Sequence, residues 1–326
     1  MSRRPPGGRL PYSGVPPATH GGIPHAHADG HIHRAVVIDV ALAALRSAAG
    51  LGVAGNFAGH LEQAGEAADF ANVVPTAAEA PKGMFPWFVP GRSGQLGEFP
   101  VTHDELVLPD QPGVDLQIEP EVGLLARLGY DDHGAVASIT PEAVVAWNDC
   151  SIRREGARKI SDKKNWGPAS KGVAARGFAV TDIEPDGGLA GLRIASFMRR
   201  DGQVHAYGVD SPAAGYSYAG TTLIDWMIDR LREQRGADDT PLEPVGEYLT
   251  LAGCPDTALI GIGATRYTPF GETTYLVAGD ESIVIVYHEG TSSPAGVADA
   301  VLAGAEHSLP QASVLVQRVG VAAAGP

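Results

Sequence analysis

Short apolar runs, separated by glycines and prolines, make up most of the chain after residue 35. The stretch from about 81 to 137 is typical, because its apolar segments are only a few residues long and end at turn-forming residues. Turn residues end strands, and short apolar runs lack the 3.6-residue period of a helix, so this pattern predicts many short strands. The clearest predicted strands cover residues 50–56, 177–180, 192–198, 204–209, 258–262, 282–287 and 313–318.

Helical spacing is evident in one long segment, residues 221–232, in which apolar side chains recur three and four positions apart. The side chains that form this stripe are Leu223, Ile224, Met227, Ile228 and Leu231. Shorter helices are predicted over residues 57–70, 141–147 and 297–305. The pattern as a whole predicts an α+β fold that is mostly β and has few helices.

The first 34 residues have a different composition from the rest of the chain. They are rich in Pro, Gly and His, they show no apolar period, and they contain five of the 11 histidines. Pairs such as His25 and His27 can chelate a metal, but a low-complexity extension is the simpler interpretation. We therefore predict a disordered extension over residues 1–34.

Charge and cysteine content narrow the class of protein. The formal net charge is -14, which argues against nucleic acid and against an anionic membrane surface as partners. Two cysteines, Cys150 and Cys254, are too few for a disulfide framework in a chain of 326 residues and favour a reducing compartment. The sequence has no recognisable signal peptide and no apolar run long enough to cross a bilayer. We expect a soluble, cytoplasmic protein.

The segment VDLQIEPEVGLLA carries a pair of carboxylates, Glu119 and Glu121, and it is predicted to be a strand. Side chains two positions apart on a strand point to the same face, where two carboxylates repel each other unless a cation or a shared proton lies between them. Asp149, directly after an apolar segment, is a third candidate. Hard cations such as Mg²⁺, Mn²⁺ or Ca²⁺ prefer such oxygen ligands. The spacing by itself also fits a solvated outer face.

Five segments in one order resemble the fumarylacetoacetate hydrolase superfamily. They are LGVAGNFAGHLEQ (51–63), IEPEVGLLA (118–126), WNDCSIRR (147–154), SKGVAARGFAVTD (170–182) and the segment 260–290, which begins IGIGATRYTPFG. The first resembles a strand followed by Asn-Tyr-x-x-His, the second a Glu-x-Glu metal strand, and the third an Asn-Asp-x-Ser-x-Arg segment. The fourth resembles a lysine loop followed by a strand, and the fifth the family's closing region.

This resemblance implies a fold, an activity and a domain organisation. The implied fold is the family's rolled mixed β-sheet, over residues 35–290, with residues 291–326 as a C-terminal extension that packs on the domain or is partly flexible. The implied activity is a Mg²⁺- or Mn²⁺-dependent hydrolase that cleaves a C–C bond in a β-diketo acid or an acylpyruvate-like substrate. A homodimer is also implied, with a small keto acid as the substrate.

The resemblance also assigns residue roles. The implied metal ligands are Glu119, Glu121 and Asp149; the implied catalytic residues are His60 and Lys171; the implied substrate-binding residues are Asn56, Arg153 and Thr265. Lys159 and Lys164 are alternatives to Lys171, because the loop that follows Lys171 is shorter than the family's.

The chain departs from the family pattern beside His60. The family's histidine is commonly followed three positions later by a glutamate, which orients it and stabilises its charged form. This chain has Gln63 at that position and Glu62 one position earlier, so we add both to the catalytic candidates.

Two further hypotheses follow from this departure. A decarboxylase or tautomerase of a β-keto acid such as oxaloacetate needs the metal and the lysine but no activated water. A non-catalytic, metal-binding relative would keep the carboxylates and hold a small acid or a partner protein. A carboxylate within hydrogen-bond reach of His60 would favour hydrolysis.

Overall fold

β-Strands are the most abundant secondary structure among the described residues. The computed structural model describes residues 36–70, 72–73, 77–111, 113–153, 157–236 and 240–322, so the predicted extension over 1–34 lies outside the described residues. The strands are β1 (Val37–Asp39), β2 (Ala49–Ala54), β3 (Gly83–Phe88), β4 (Val101–Thr102), β5 (Glu105–Leu108), β6 (Asp115–Gln117), β7 (Pro120–Tyr130), β8 (Val136–Asn148), β9 (Ser151–Arg153), β10 (Lys171–Ala179), β11 (Leu192–Arg200), β12 (Gln203–Pro212), β13 (Thr257–Ala264), β14 (Glu281–His288) and β15 (Ala312–Val321).

Two mixed sheets account for nearly all of these strands. The larger has eight strands in the order β1-β10-β8-β7-β13-β2-β3, with β4 beside β10; β2–β13 and β4–β10 are parallel pairs and the other pairs are antiparallel. The smaller has the order β12-β11-β14-β15-β5, in which only β15–β5 is parallel. Strands β6 and β9 form a separate antiparallel pair. The predicted mostly β fold with mixed sheets is confirmed.

The helices are short apart from one. They are α1 (Leu42–Leu45), α2 (His60–Gln63), α3 (Gly220–Glu233), α4 (Val245–Leu251), α5 (Pro269–Thr273) and α6 (Pro294–Leu302). Helix α3 confirms the predicted amphipathic helix and buries Leu223, Met227 and Leu231. None of the helices in the described ranges is both long and apolar enough to cross a membrane.

The helix predicted over residues 141–147 is wrong, because this segment is the second half of β8. It pairs with β7 on one side and with β10 on the other, and the side chains from Val144 to Trp147 are fully buried. A continuous apolar run of this length has the same pattern in a central strand and in a buried helix, so periodicity could not separate the two.

The helix predicted over residues 57–70 is also much shorter than expected. Only His60–Gln63 is α-helical, and a separate 3₁₀ turn covers Ala67–Phe70. Gly59 and Gly65 flank α2 with φ of 82° and 71°, a left-handed conformation that interrupts a helix. His60 is therefore at the first position of a single helical turn.

Residues 291–322, which were predicted to belong to a C-terminal extension, supply helix α6 and strand β15. Strand β15 lies between β14 and β5 within the smaller sheet. Val297 and Val301 of α6 pack with Ile283 and Ile285 of β14 in an apolar cluster that is separate from the main hydrophobic core. This segment therefore completes the smaller sheet.

Candidate active site

The pairing of β7 with β8 brings the three predicted metal ligands together. Glu119 directly precedes β7, Glu121 is its second residue, and Asp149 directly follows β8. Because the strands are antiparallel, with Glu121 opposite Trp147, the start of β7 lies beside the end of β8. The backbone N–H of Asp149 donates to the Glu119 carbonyl at 3.0 Å. All three carboxylates are buried, and each offers an oxygen within 4.8 Å of the others. We call this group the acidic triad.

A register shift in β13 makes room for one member of the triad. The backbone N–H of Gly263 donates to Glu121 Oε2 at 3.0 Å, and Gly263 has a φ of 122°. A Cβ at Gly261 would lie 2.3 Å from Glu121 Oε2, so any larger residue would displace the carboxylate. Glycine at both positions therefore lets the backbone come close enough to hold Glu121.

Three buried cations surround the other two carboxylates. Lys164 Nζ lies 2.6 Å from both Glu119 Oε2 and Asp149 Oδ2. Lys171 Nζ lies 3.0 Å from Asp149 Oδ1, and Arg153 Nη2 lies 2.7 Å from Glu119 Oε1. Every oxygen of these two carboxylates therefore faces a positive charge.

Of the three candidate lysines, two reach the triad. Lys171, the first choice from the sequence, begins β10 and also donates to the Cys150 carbonyl. Lys164, kept as an alternative, follows the 3₁₀ turn Ile160–Lys163 and is 3% exposed. Lys159 donates instead to the carbonyls of Thr240 and Leu242, away from the triad.

Arg153 is held by a layer of polar residues outside the triad. Besides Glu119, its guanidinium donates to Glu66 at 2.7 Å, to Gln117 at 2.6 Å and to the Tyr267 hydroxyl at 3.0 Å. Its donors are thus directed at protein groups, so in this structure Arg153 positions Glu119, and the predicted contact with substrate stays a prediction. Sequence reasoning missed Glu66 and Tyr267, since neither stands in a recognisable pattern.

The pKa values within the triad diverge. Burial alone would raise the pKa of Glu119, but Lys164 and Arg153 outweigh burial and hold it well below its usual range. Burial, together with the neighbouring charge of Asp149, raises the pKa of Glu121 well above its usual range. Burial lowers the pKa of Lys171. Glu121 is therefore the member of the triad whose charge is least compensated by the protein.

These residues fit a divalent cation. The donor set consists of hard oxygens, as Mg²⁺, Mn²⁺ and Ca²⁺ prefer. Both Asp149 carboxylate oxygens are buried without a well-aligned hydrogen bond, although each lies near a lysine ammonium. A cation would also supply the charge that an ionised Glu121 lacks. The acidic triad can therefore hold a metal ion.

His60 is held by a backbone carbonyl. Its Nδ1 lies 2.9 Å from the Thr265 carbonyl oxygen, which can only accept a hydrogen bond. Nδ1 therefore carries the proton, and in the neutral ring Nε2 keeps a free lone pair. The imidazole is 3% exposed, and burial lowers its pKa.

Glu62 and Gln63 do not act on His60 in this structure, which corrects the expectation that they complete its catalytic group. Glu62 is exposed to solvent. The Gln63 side chain accepts from the Tyr267 N–H at 2.9 Å and donates to the Tyr267 carbonyl at 3.2 Å. The short helix directs Gln63 at the backbone of the 264–268 segment, and among the described residues no carboxylate hydrogen-bonds to the imidazole.

Asn56 and Thr265, predicted to contact substrate, have structural contacts here. The Asn56 amide is fully buried and donates to the carbonyls of Tyr218 and Ile262. Thr265 holds His60 through its carbonyl, and its backbone N–H donates to the Pro120 carbonyl at 3.1 Å. A direct contact between Asn56 and substrate would require these bonds to break.

A small cavity joins the two parts of the site. Its polar lining consists of His60, Glu66, Glu119, Glu121 and Lys164, and its apolar lining includes Leu61, Phe70 and Phe85. Its volume of about 20 Å³ accommodates about one water-sized group. Two members of the triad, Glu119 and Glu121, thus line the same cavity as the histidine.

A family described as "Family of unknown function (DUF5718)" matches residues 66–319. The chain belongs to this family. No curated protein sequence matches this DUF5718 member.

Solved structures similar to this DUF5718 member include one that is described as a fumarylacetoacetate hydrolase family protein. A yeast protein of that family has 13% identity and a TM-score of 0.46, with 88% of this chain and 98% of that chain covered. A maleylpyruvate hydrolase from Sphingobium has 13% identity and a TM-score of 0.40, with 84% and 71% covered. A 2-keto-3-deoxyarabinonate dehydratase has 12% identity and a TM-score of 0.44, with 85% and 75% covered. At these identities and TM-scores the likeness carries no activity over to this chain.

Proposed function

We propose that this protein is a divalent-cation-dependent enzyme that enolises or decarboxylates a small β-keto acid. The observation that carries the proposal is a cluster of three buried carboxylates, two of which, Glu119 and Glu121, line the same cavity as the buried His60. Burying several carboxylates is costly unless cations compensate them, so a site of this kind is retained for chemistry more readily than for folding. Mg²⁺ or Mn²⁺ is the proposed cation, held by Glu119, Glu121 and Asp149, with Ca²⁺ as a third candidate.

The proposed chemistry uses His60 as the proton carrier. When bound, the cation would polarise the keto oxygen of the substrate as a Lewis acid. The Nε2 lone pair of His60 takes a proton from the carbon beside the keto group, and the C–H electron pair moves into the enolate. His60 then returns the proton to the enolate oxygen, so the histidine is unchanged after the cycle. The Thr265 carbonyl keeps Nδ1 protonated and Nε2 available throughout.

Decarboxylation gives a different enolate, because the substrate loses CO₂ and no proton is taken from carbon. The bond between the α-carbon and the carboxylate breaks, CO₂ leaves, and the electron pair passes into the enolate, which then takes a proton from water. Lys171 and Lys164 place two positive charges beside Asp149, where they favour the bound acid and the developing negative charge.

Hydrolysis is less well supported than enolisation. Activating water requires a base whose protonated form is stabilised, usually by a carboxylate. His60 is held by a neutral carbonyl, and burial lowers its pKa. The residues that the sequence offered for orienting His60, Glu62 and Gln63, do not do so in this structure, because Glu62 is exposed and Gln63 bonds to the backbone of Tyr267. Hydrolysis of an acylpyruvate therefore becomes the alternative. A cytoplasmic location and a homodimer stay predictions from the sequence.

A substrate panel tests the proposal. Oxaloacetate and a series of acylpyruvates are assayed with Mg²⁺ or Mn²⁺ and again with a chelator. We expect cation-dependent loss of CO₂ or keto–enol exchange, and a fall in kcat of about 100-fold or more in His60→Asn. His133→Asn is the matched control, because His133 is exposed on a turn. C–C hydrolysis in the wild type would favour the alternative, and no turnover of any member would support a non-catalytic binding protein.

A further inference from the structure

Among the described residues, Lys164 is the one cationic side chain that pairs with two members of the acidic triad. Its ammonium lies 2.6 Å from Glu119 Oε2 and 2.6 Å from Asp149 Oδ2, and its side chain is 3% exposed. Both contacts are ion pairs, so this one ammonium compensates the charge of two carboxylates. The ammonium thus bridges two carboxylates from within the protein.

The position of this ammonium conflicts with a bound divalent cation. The oxygens that Lys164 contacts belong to the carboxylates that would hold the metal. An ammonium and a divalent cation that share these oxygens would lie only a few ångströms apart, where like charges repel strongly in a buried site. The second oxygens of the two carboxylates face Arg153 and Lys171, so no set of free oxygens avoids the conflict.

Lys164 also has a place to move. It lines the cavity that contains His60, Glu66 and Glu121. Its side chain has four rotatable methylene groups and no fixed donor geometry, unlike the guanidinium of Arg153, which is held by four different groups. A shift away from Asp149 would bring the ammonium into this cavity.

We propose that Lys164 is an internal counter-ion that the divalent cation displaces, and that the displaced ammonium then binds the carboxylate of the acid substrate at the His60 cavity, which must widen from its volume of about 20 Å³ to admit the acid. The inference rests on the proposed function for the substrate, but its first step concerns cation binding alone. It explains how three carboxylates can be buried together before a metal binds. It also makes metal binding and acid binding depend on one side chain.

Calorimetric titration of Mn²⁺ and Mg²⁺ tests the first step without any turnover. Lys164→Met removes the competing charge but keeps the apolar stem, so its affinity for Mn²⁺ should rise about tenfold or more over the wild type. Lys164→Arg keeps a charge at this position and should not gain affinity. Lys163→Met is the matched control, because Lys163 pairs with Glu66 and should leave the affinity within about twofold. An unchanged or weaker affinity in Lys164→Met would overturn the proposal.

A measurement on the wild type covers the case in which Lys164→Met fails to fold. In protein labelled with ¹³C at the lysine side chains, the Lys164 resonance should shift on addition of Mg²⁺, and the Lys163 resonance should not. A Lys164 resonance that stays in place while Mg²⁺ binds would contradict displacement.

Oxalate, an unreactive diacid, tests the second step. Its affinity for the Mg²⁺-loaded wild type should exceed its affinity for Mg²⁺-loaded Lys164→Met by about tenfold. Equal affinities would overturn the substrate-binding role of Lys164, whereas a failure of the substrate panel with a positive Mn²⁺ result would count against the proposed reaction alone.

Discussion

The two halves of the site are built in different ways. The acidic triad stands at the ends of two long, paired strands, and its members are compensated by lysine and arginine side chains. His60 stands on a single helical turn between two left-handed glycines and is held by a backbone carbonyl. The cation half, the acidic triad, is therefore fixed by charge, whereas the base half, His60, is fixed by the backbone geometry of a loop.

The largest expected effect concerns the charge compensation of the triad. Asp149→Asn would leave the ammonium groups of Lys164 and Lys171 beside a neutral amide in a fully buried position. Breaking a buried charge pair in this way costs about 3–5 kcal/mol, so we expect a loss of that size in the free energy of unfolding. Urea denaturation measures it. The exposed control Glu62→Gln should change the value by less than about 0.5 kcal/mol. A loss below about 1 kcal/mol in Asp149→Asn would break the contrast between the two halves.

The next effect concerns Glu243, which contacts the turn that precedes Lys164. Burial raises the pKa of Glu243 to about 7, and its carboxylate accepts a hydrogen bond from Ser161 in the turn before Lys164. The folded protein therefore holds a proton that the unfolded chain releases near its ordinary pKa of 4.5. Stability should fall as pH rises from about 4.5 to about 7, by up to about 3 kcal/mol, and then level off.

Glu243→Gln stays neutral at every pH and tests this dependence. Its free energy of unfolding, measured by urea denaturation at closely spaced pH values, should lack the fall between about 4.5 and 7. A variant with the same pH profile as the wild type would show that Glu243 does not hold this proton.

A smaller effect concerns Gly261, whose missing side chain leaves space for the Glu121 carboxylate. A methyl group at residue 261 would lie 2.3 Å from Glu121 Oε2, so Gly261→Ala must displace this carboxylate. Groups that orient a metal ligand affect affinity about 10- to 100-fold, and we expect a loss of that order for Mn²⁺. Gly320→Ala is the matched control, since a methyl group there meets nothing within 4 Å. Equal Mn²⁺ affinities in the two variants would show that Glu121 does not bind the cation.

The smallest effect concerns the base half of the site. Gln63→Glu restores the residue that the resemblance leads one to expect, but it loses the donor to the Tyr267 carbonyl and faces Glu272, which lies 3.3 Å from the amide nitrogen. We expect a loss of about 1 kcal/mol in stability, and recovery when Glu272→Gln is added. The pKa of His60, followed by NMR, should not rise. A clear rise would mean that a histidine–carboxylate pair has formed and that hydrolysis regains support.

The cation half of the site can be predicted from the sequence better than the base half. Glu119, Glu121 and Asp149 are predictable as a group because they stand in short motifs that resemble a known family, whereas their spacing alone also fits a solvated face; strand pairing brings them together. The mostly β architecture followed from short apolar runs, although the segment 141–147 was assigned to the wrong element because a doubly paired strand is as uniformly apolar as a buried helix.

The surroundings of His60 could not be predicted. Its partner, the Thr265 carbonyl, lies 205 residues away, and backbone carbonyls leave no mark on a sequence. The position of Gln63 depends on where a four-residue helix begins, which is below the precision of pattern reasoning. Glu66 and Tyr267 act through Arg153, and no local signal marks them.

Mn²⁺ titration of Glu121→Gln tests whether the acidic triad binds one divalent cation. Glu121 accepts one hydrogen bond from Gly263 and has a raised pKa, so a neutral glutamine should leave the fold intact. We predict that the wild type binds one Mn²⁺ per chain and that Glu121→Gln, with an unchanged melting temperature in the absence of metal, loses this binding. Undiminished Mn²⁺ binding by Glu121→Gln, or none by the wild type, would contradict the account.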